Sequence, residues 1–219
     1  MKNLKSTVEI NEVKYIIKNE NDLIQKSLLN NQQWNNNILL TIGQLIKQFN
    51  LKHFLNIGCH IGTVSLPVSK YIEKVTAIEA FPLTFKHLEE NIKINNIKNI
   101  EVLNLAIGDE NKKVYFLDNE NIRVKNNSGG MHVITDDDIS NKRLSSSIHS
   151  KKYSNKMQRL DDLNISEFDI LLVDVEGKEY ELLKGGRNTI TNYKPIMIME
   201  IWNNNKRNLE KMQTSNVEI

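Results

Sequence analysis

The sequence predicts an α/β fold, an open and mainly parallel sheet with helices on both faces. Two observations carry this. Apolar runs at 53–57, 75–79, 100–106, 169–174 and 195–201 alternate with segments of helical spacing, the pattern of a parallel sheet covered on both sides. The stretch Phe54 to Gly62, Phe-Leu-Asn-Ile-Gly-Cys-His-Ile-Gly, then sets a glycine turn between the first strand and the next apolar segment. Glu79 closes the second run 21 positions after Gly58. An acid roughly 20 residues beyond such a turn is placed to bind ribose hydroxyls.

Before this core, Val8 to Lys18 is rich in Val, Ile and Tyr and predicts an edge hairpin or strand. Asn21-Asp22 can cap a short helix running to Leu29. Ile38, Leu39, Ile42, Leu45, Ile46 and Phe49 recur at helical spacing, and Asn50 ends that amphipathic helix. Within the core, helices are expected at about 62–71, 82–95 and 178–191. Pro82 marks the first turn of the second, and Phe85, Leu88 and Ile92 line one of its faces.

The interval 107–160 breaks the rhythm. Lys113 to Leu117 can be one more strand. A polar loop insertion is expected at about 118–156, containing Asn126 to Gly130, Asp136 to Asp138 and Ser145 to Ser147. Loops of this length in a compact domain are often lids or binding loops, which makes Ser128, Gly129 and Gly130 candidates for substrate binding. The whole chain reads as one domain: an extension over 1–50, a cofactor-binding core over 51–202 and a partial helix over 203–219.

Composition bounds the function. The 219 residues carry a formal net charge of +2 with the signs well mixed, so no polyanion is demanded and nucleic acid is not the expected partner. The single cysteine, Cys59, cannot form an internal disulfide, which fits a reducing setting and a cytoplasmic location. The N-terminus lacks an apolar core of signal-peptide length, and no run approaches the ~20 apolar residues of a membrane span.

The candidate site residues lie where the strands end. Gly58 and Gly62 suit a nucleotide-type loop, but Cys59 and His60 occupy the middle of what would be a dinucleotide pattern, which counts against NAD or FAD. His60 either faces the ligand or is an ordinary loop histidine. Asn104, Ala106 and Asp109 end the third strand, where an adenine can rest. Asp174 and Glu176 close the fourth, where a carboxylate can orient a hydroxyl, take its proton or hold a metal. The bland alternative is that Asp174 binds loop amides while Glu176 is solvated near a helix start. Cys59 has no basic neighbour in sequence, Asp161 and Asp162 suit a cap, and His87, His132 and His149 lack zinc-ligand spacing.

Several motifs occur together in order: Phe54 to Thr63, Ala77 to Pro82, Asn104 to Asp109, Leu160 to Leu163, Asp174-Val175-Glu176-Gly177-Lys178-Glu179, Leu182 to Gly186 and Pro195 to Glu200. The series, with Asn21-Asp22 and Gln33-Trp34 before it, resembles the FkbM-type methyltransferases over roughly residues 15 to 202. Those are S-adenosylmethionine-dependent enzymes of the class I, Rossmann-like fold. The resemblance implies methyl transfer to a hydroxyl of a small molecule, a sugar or nucleotide-sugar being favoured. It implies that Gly58 and Gly62 let the backbone approach the methionine part of the cofactor and that Glu79 holds the ribose. Asn104 to Ala106 would lie near the adenine, and Asp174 and Glu176 would face the reacting centre.

Two departures stand out. Asn56 occupies the place of the family's usual acid, removing a charge that would pair with the cofactor's ammonium. Asn203 to Ile219 has room for part of the family's C-terminal helix but not for both strands of its antiparallel pair. The expectation is therefore a shortened sheet whose edge a second copy covers. Two other readings stay open: an impaired member acting as a binding or assembly partner, and a methyltransferase for RNA or protein.

Overall fold

The computed structural model describes residues 6–117, 126–136 and 151–201. The chain opens with an antiparallel hairpin, β1 (Ser6–Ile10) and β2 (Val13–Ile17). Its two turn residues, Asn11 and Glu12, both have positive φ, as the tightest hairpin turns require. Helix α1 (Leu23–Leu29) starts at Asp22, whose side chain accepts from Gln25 N, a cap worth about 1 kcal/mol. Helix α2 (Asn36–Phe49) ends at Asn50 in the left-handed conformation.

The core then alternates β3 (His53–Ile57), α3 (Ser65–Val68), β4 (Lys74–Ile78), α4 (Pro82–Ile94) and β5 (Ile100–Leu103). A smaller sheet interrupts it, formed by β6 (Ala106–Ile107), β7 (Lys112–Leu117) and β8 (Lys151–Gln158). The core resumes with β9 (Ile170–Val173), α5 (Glu179–Gly185), α6 (Arg187–Tyr193) and β10 (Ile196–Met199). The five core strands form a parallel sheet in the order β10-β9-β3-β4-β5. Strand order therefore reverses at β3, and the crevice outside the carboxyl ends of β3 and β9 is where such a sheet binds ligand.

Both faces of the sheet are covered. Phe54, Val75, Ala77, Ile170 and Leu172 pack beneath the hairpin, α1, α2 and α3. Leu55, Ile57, Ile78, Leu171 and Val173 pack on the other side with Phe168, Leu182 and Leu183. Neighbouring residues of a strand serve opposite faces, so central strands are mainly apolar, and their buried polar side chains His53, Asn56 and Thr76 are hydrogen-bonded.

Helix α4 ties the hairpin to this core through polar side chains. Asn91, fully buried, accepts from Ile16 N at 2.9 Å and donates to Ile61 O at 3.0 Å. His87 Nε2 donates to Ile16 O at 2.7 Å, and Asn95 bonds both the N and the O of Lys14. These side chains satisfy hairpin backbone groups that a third strand would otherwise take.

Several elements differ from expectation. The helix expected at 62–71 is only Ser65–Val68, because Gly62 has φ +91° and Pro67 has no N–H to give. The helix expected at 178–191 is two, broken at Gly185-Gly186, where helix propensity is lowest. The strand expected at 100–106 stops at Leu103 and resumes as β6 in the second sheet. Residues from Lys151 onward are strand rather than loop, with β8 antiparallel to β7 and parallel to β6.

Asp137, Asp138, Ser145 to Ser147, His149 and the expected C-terminal helix at 203–219 lie outside the described residues. Among those described, no helix is long and apolar enough to cross a membrane.

Candidate active site

A cleft of about 340 Å³ opens at the carboxyl ends of β3, β4, β9 and β10. Its floor is the turn after β3. Gly58 has φ +84°, and a Cβ there would stand 1.7 Å from Asp174 O, so only glycine lets the two strand ends meet. Gly62, at φ +91°, turns the chain into α3, and a Cβ would stand 2.0 Å from Leu66 Cδ1. It does not line the cleft, whereas Asn56, Gly58 and His60 do.

Glu79 lines the second wall and is 9% exposed. Its Oε2 accepts from His60 N at 2.9 Å and its Oε1 from Phe81 N at 2.8 Å. Burial pushes its carboxyl up to about 7, against the pull of these backbone N–H groups. The Ala80 N–H adds to that pull, and the carboxylate keeps acceptor capacity beyond these bonds. Asn104 is not part of the lining: its Nδ2 donates to Glu79 O at 2.7 Å and braces the strand end that carries the acid. Asn155 Nδ2, from β8, donates to Ala80 O at 2.7 Å. Ala106 does line the cleft, between Leu105 and Ile107.

Residues 126–134 form a roof over this floor. Leu23 N donates to Asn126 O at 2.6 Å, and Ser128 N donates to Asp22 Oδ2 at 2.7 Å, so the cap of α1 also holds the roof. The roof is tied to the glycine turn by His60 Nε2 and Ser128 Oγ, 2.8 Å apart. Its far end bridges Tyr115 of β7 through Ile134, and His132 Nδ1 donates to Glu176 O at 3.0 Å. Ser128 and Gly129 line the cleft with Met131 and Val133, whereas Gly130 does not.

His60 itself sits at φ +51°. Its Nδ1 is buried without a hydrogen-bond partner among the described residues, and desolvation lowers its pKa to about 4, leaving a neutral ring.

The third wall is acidic. Asp174, Glu176 and Glu200 line it, with Lys178 beside them. Burial pushes Asp174 up to about 7, aided by the charges of Glu200, Glu176, Glu179 and Glu79. Glu176, at φ +51°, is raised by burial and by Glu200 and Glu179, with His132 opposing. Glu179, 2% exposed, accepts from Gly177 N at 2.8 Å and fixes the loop into α5. A carboxylate whose pKa lies near neutrality is suited to taking a proton. Among the described residues no group of three His, Cys, Asp or Glu could hold a metal ion.

Asn56 is 2% exposed; its Nδ2 donates to Ser65 Oγ at 2.8 Å, while its Oδ1 has no partner among the described residues. Trp34, Phe116, Met131 and Glu200 also line the cleft, and sequence reasoning did not assign them to it. Glu200 ends an apolar strand just as Asp174 does, so the strand-end rule could have found it. The others reach the cleft through tertiary packing alone.

The methyltransferase FkbM domain family matches residues 56–215. A tRNA/tmRNA (uracil-C(5))-methyltransferase from a Nitratiruptor species is 38% identical over 52 residues, 24% of this chain and 14% of that protein. An FkbM methyltransferase structure from Methylobacillus flagellatus KT is 17% identical, covering 68% of this chain and 32% of its own, with a TM-score of 0.45. The structure of Pyrococcus abyssi tRNA (uracil-54, C5)-methyltransferase in complex with S-adenosyl-L-homocysteine is 13% identical. That match covers 89% of this chain and 34% of the other, with a TM-score of 0.49. The chain thus spans about a third of the length of these two structures and far less of the curated relative. The family match takes in most of the chain and contains Glu79, Asp174, Glu176 and Glu200, and by it the chain belongs to the FkbM methyltransferase domain family.

Proposed function

We propose that the protein is an S-adenosylmethionine-dependent methyltransferase acting on a hydroxyl oxygen of a small molecule, a sugar or nucleotide-sugar being the favoured class. The observation that carries the reading is the convergence of Asn56, Glu79 and Asp174 on one cleft at the point where strand order reverses. The donor set fits the cofactor. The orphaned Oδ1 of Asn56 is a buried acceptor suited to an ammonium N–H. Glu79 keeps acceptor capacity for a ribose hydroxyl, and Leu105 to Ile107 offer an apolar wall to a base. When bound, the cofactor supplies a methyl group already activated on a positively charged sulfur.

The chain's own task is then to align the acceptor oxygen and remove its proton. Asp174 is the group for the second part, with a carboxyl held near neutrality in a partly dry wall. The roof formed by residues 126–134 narrows the cleft and supports a small acceptor, since about 340 Å³ is near the lower end of ligand-site volumes, ~300–1,000 Å³. The 52-residue likeness to a tRNA methyltransferase favours a second reading, methylation of RNA.

Calorimetric titration with S-adenosylmethionine and S-adenosylhomocysteine tests the first half; absence of binding at millimolar ligand ends the reading. A methyl-transfer screen over sugars, nucleotide-sugars and tRNA, followed by mass spectrometry, tests the second. Methylated sugar is the expected product, and methylated tRNA selects the alternative. Cofactor binding with no transfer to any acceptor marks an impaired member that works as a binding partner.

A further inference from the structure

The reaction as described leaves Glu200 without a task. It is exposed at the first position after β10, and its N–H donates to Val173 O at 3.0 Å. That is one step beyond the register pair Met199 and Val173, which sets Glu200 beside Asp174 across the β9–β10 pair. Among the described residues the Glu200 carboxylate takes no hydrogen bond and no ion pair. Among the described residues four acids, Glu79, Asp174, Glu176 and Glu200, line the cleft against one lysine, Lys178. Glu179 adds its charge from behind the wall, His132 faces Glu176, and His60 is neutral. Holding like charges together costs stability; at Asp174 that repulsion adds to burial, the leading cause of its raised pKa.

A second observation points to what the wall receives. Asn56, 2% exposed, lines the same cleft from β3, and its buried Oδ1 has no partner among the described residues. That acceptor suits the ammonium that donor and product share, which leaves the carboxylates to complement a further positive charge. Within the proposed function the methyl donor brings that charge, carrying a sulfonium that becomes an uncharged thioether once the methyl group has left.

Resting on that reading, we infer that Glu200, with Asp174 and Glu176, makes the site selective for positive charge at the reacting sulfur, so that it holds the methyl donor more tightly than the demethylated product. Glu200 is then a specificity-determining residue. Its effect is to favour exchange of spent cofactor for fresh and to blunt product inhibition.

Isothermal titration of the full chain with three probes tests this: S-adenosylmethionine, S-adenosylhomocysteine and sinefungin, which carries an ammonium near the place of the sulfonium. The wild type binds the two cationic probes about tenfold more tightly than S-adenosylhomocysteine, the scale of one unit charge acting across a partly solvated cleft. Glu200→Gln brings that ratio to within about threefold while the Kd for S-adenosylhomocysteine holds, and Glu200→Lys lowers it further toward or below unity. A thermal midpoint close to wild type in each variant confirms folding, as expected for an exposed strand-end side chain. Equal affinity for all three probes in the wild type, or a ratio unmoved in Glu200→Gln, overturns the inference and leaves the cofactor reading standing. Absence of binding by every probe overturns both.

Discussion

The two sides of the cleft solve opposite problems. On the glycine-turn side the acid is satisfied: both oxygens of Glu79 take backbone N–H groups, and Asn104 braces the strand end behind it. On the β9–β10 side, among the described residues, the carboxylate of Asp174 takes no hydrogen bond, and acids surround it. Both carboxyls are raised to about 7. Burial is the leading cause for each, but repulsion adds to it at Asp174 and hydrogen bonds oppose it at Glu79. A saturated wall holds a ligand in place; a wall under electrostatic strain is ready to accept a proton. On the proposed reading, the contrast lets one cleft bind and react with chemically similar groups.

The largest break in this contrast is Gly58→Ala, which touches both walls. The added Cβ falls 1.7 Å from Asp174 O at φ +84°, so the strand ends must separate. A loss of about 3 kcal/mol or more is expected in denaturant unfolding, with cofactor binding abolished. A variant within about 1 kcal/mol of wild type would contradict the close approach.

Asp174→Asn separates binding from chemistry. It should lower kcat by about 10²- to 10³-fold, while cofactor affinity measured by calorimetry falls far less. In wild type, kcat should rise with pH through about 7 as Asp174 ionises. Stability runs the other way. The folded pKa of about 7 lies above the ordinary 3.8, so the Asp174 contribution is intact below about 4 and lost as pH rises through 7. Asp174→Asn should therefore be more stable than wild type at pH 8 by about 1–2 kcal/mol after solvent screening, and no more stable at pH 4. His60 and His87, both lowered to about 4 by burial, lose stability as pH falls from 6.5 toward 4. They partly mask the Asp174 trend, and only the difference between variant and wild type reveals it.

Glu79→Gln unbalances the satisfied wall. One amide NH₂ must face a backbone N–H, and cofactor affinity should fall about 10- to 100-fold, the worth of hydrogen bonds to a charged group. Unchanged affinity would remove the ribose assignment. Ser128→Ala is the mildest test. It deletes the 2.8 Å contact to His60 Nε2 and should raise the acceptor KM by about fivefold with kcat nearly constant, about 1 kcal/mol. A kcat effect larger than the KM effect would make the roof part of the chemistry rather than of acceptor binding.

What was legible in the sequence follows from the same physics. Strands buried on both faces are mainly apolar, so His53–Ile57, despite His53 and Asn56, and Ile170–Val173 announced themselves. Strand β8, Lys-Lys-Tyr-Ser-Asn-Lys-Met-Gln, did not, because it meets the interior chiefly through Met157 while Ser154 and Lys156 face water. Its pairing with β7 spans the insertion and leaves no local mark. Asp161 read correctly as a cap, but for α6, accepting from Asn188 N and Thr189 N, a relation no local spacing encodes. In the site, strand ends were readable and so was a binding loop at Ser128 and Gly129, but its ties to α1 and β7 were not. That Asn104 braces Glu79 rather than lining the cleft depends on where its amide turns, which residue type alone does not fix.

The bond pair made by Asn91 has a consequence for where the inherited unit begins. The family match starts at residue 56, yet Asn91 spans from Ile16 N in the hairpin to Ile61 O in the glycine turn. The matched segment and the mechanically supported unit therefore have different borders in this chain. A fragment cut at residue 56 would retain Glu79, Asp174, Glu176 and Glu200 and lose the abutment on which the cleft floor rests.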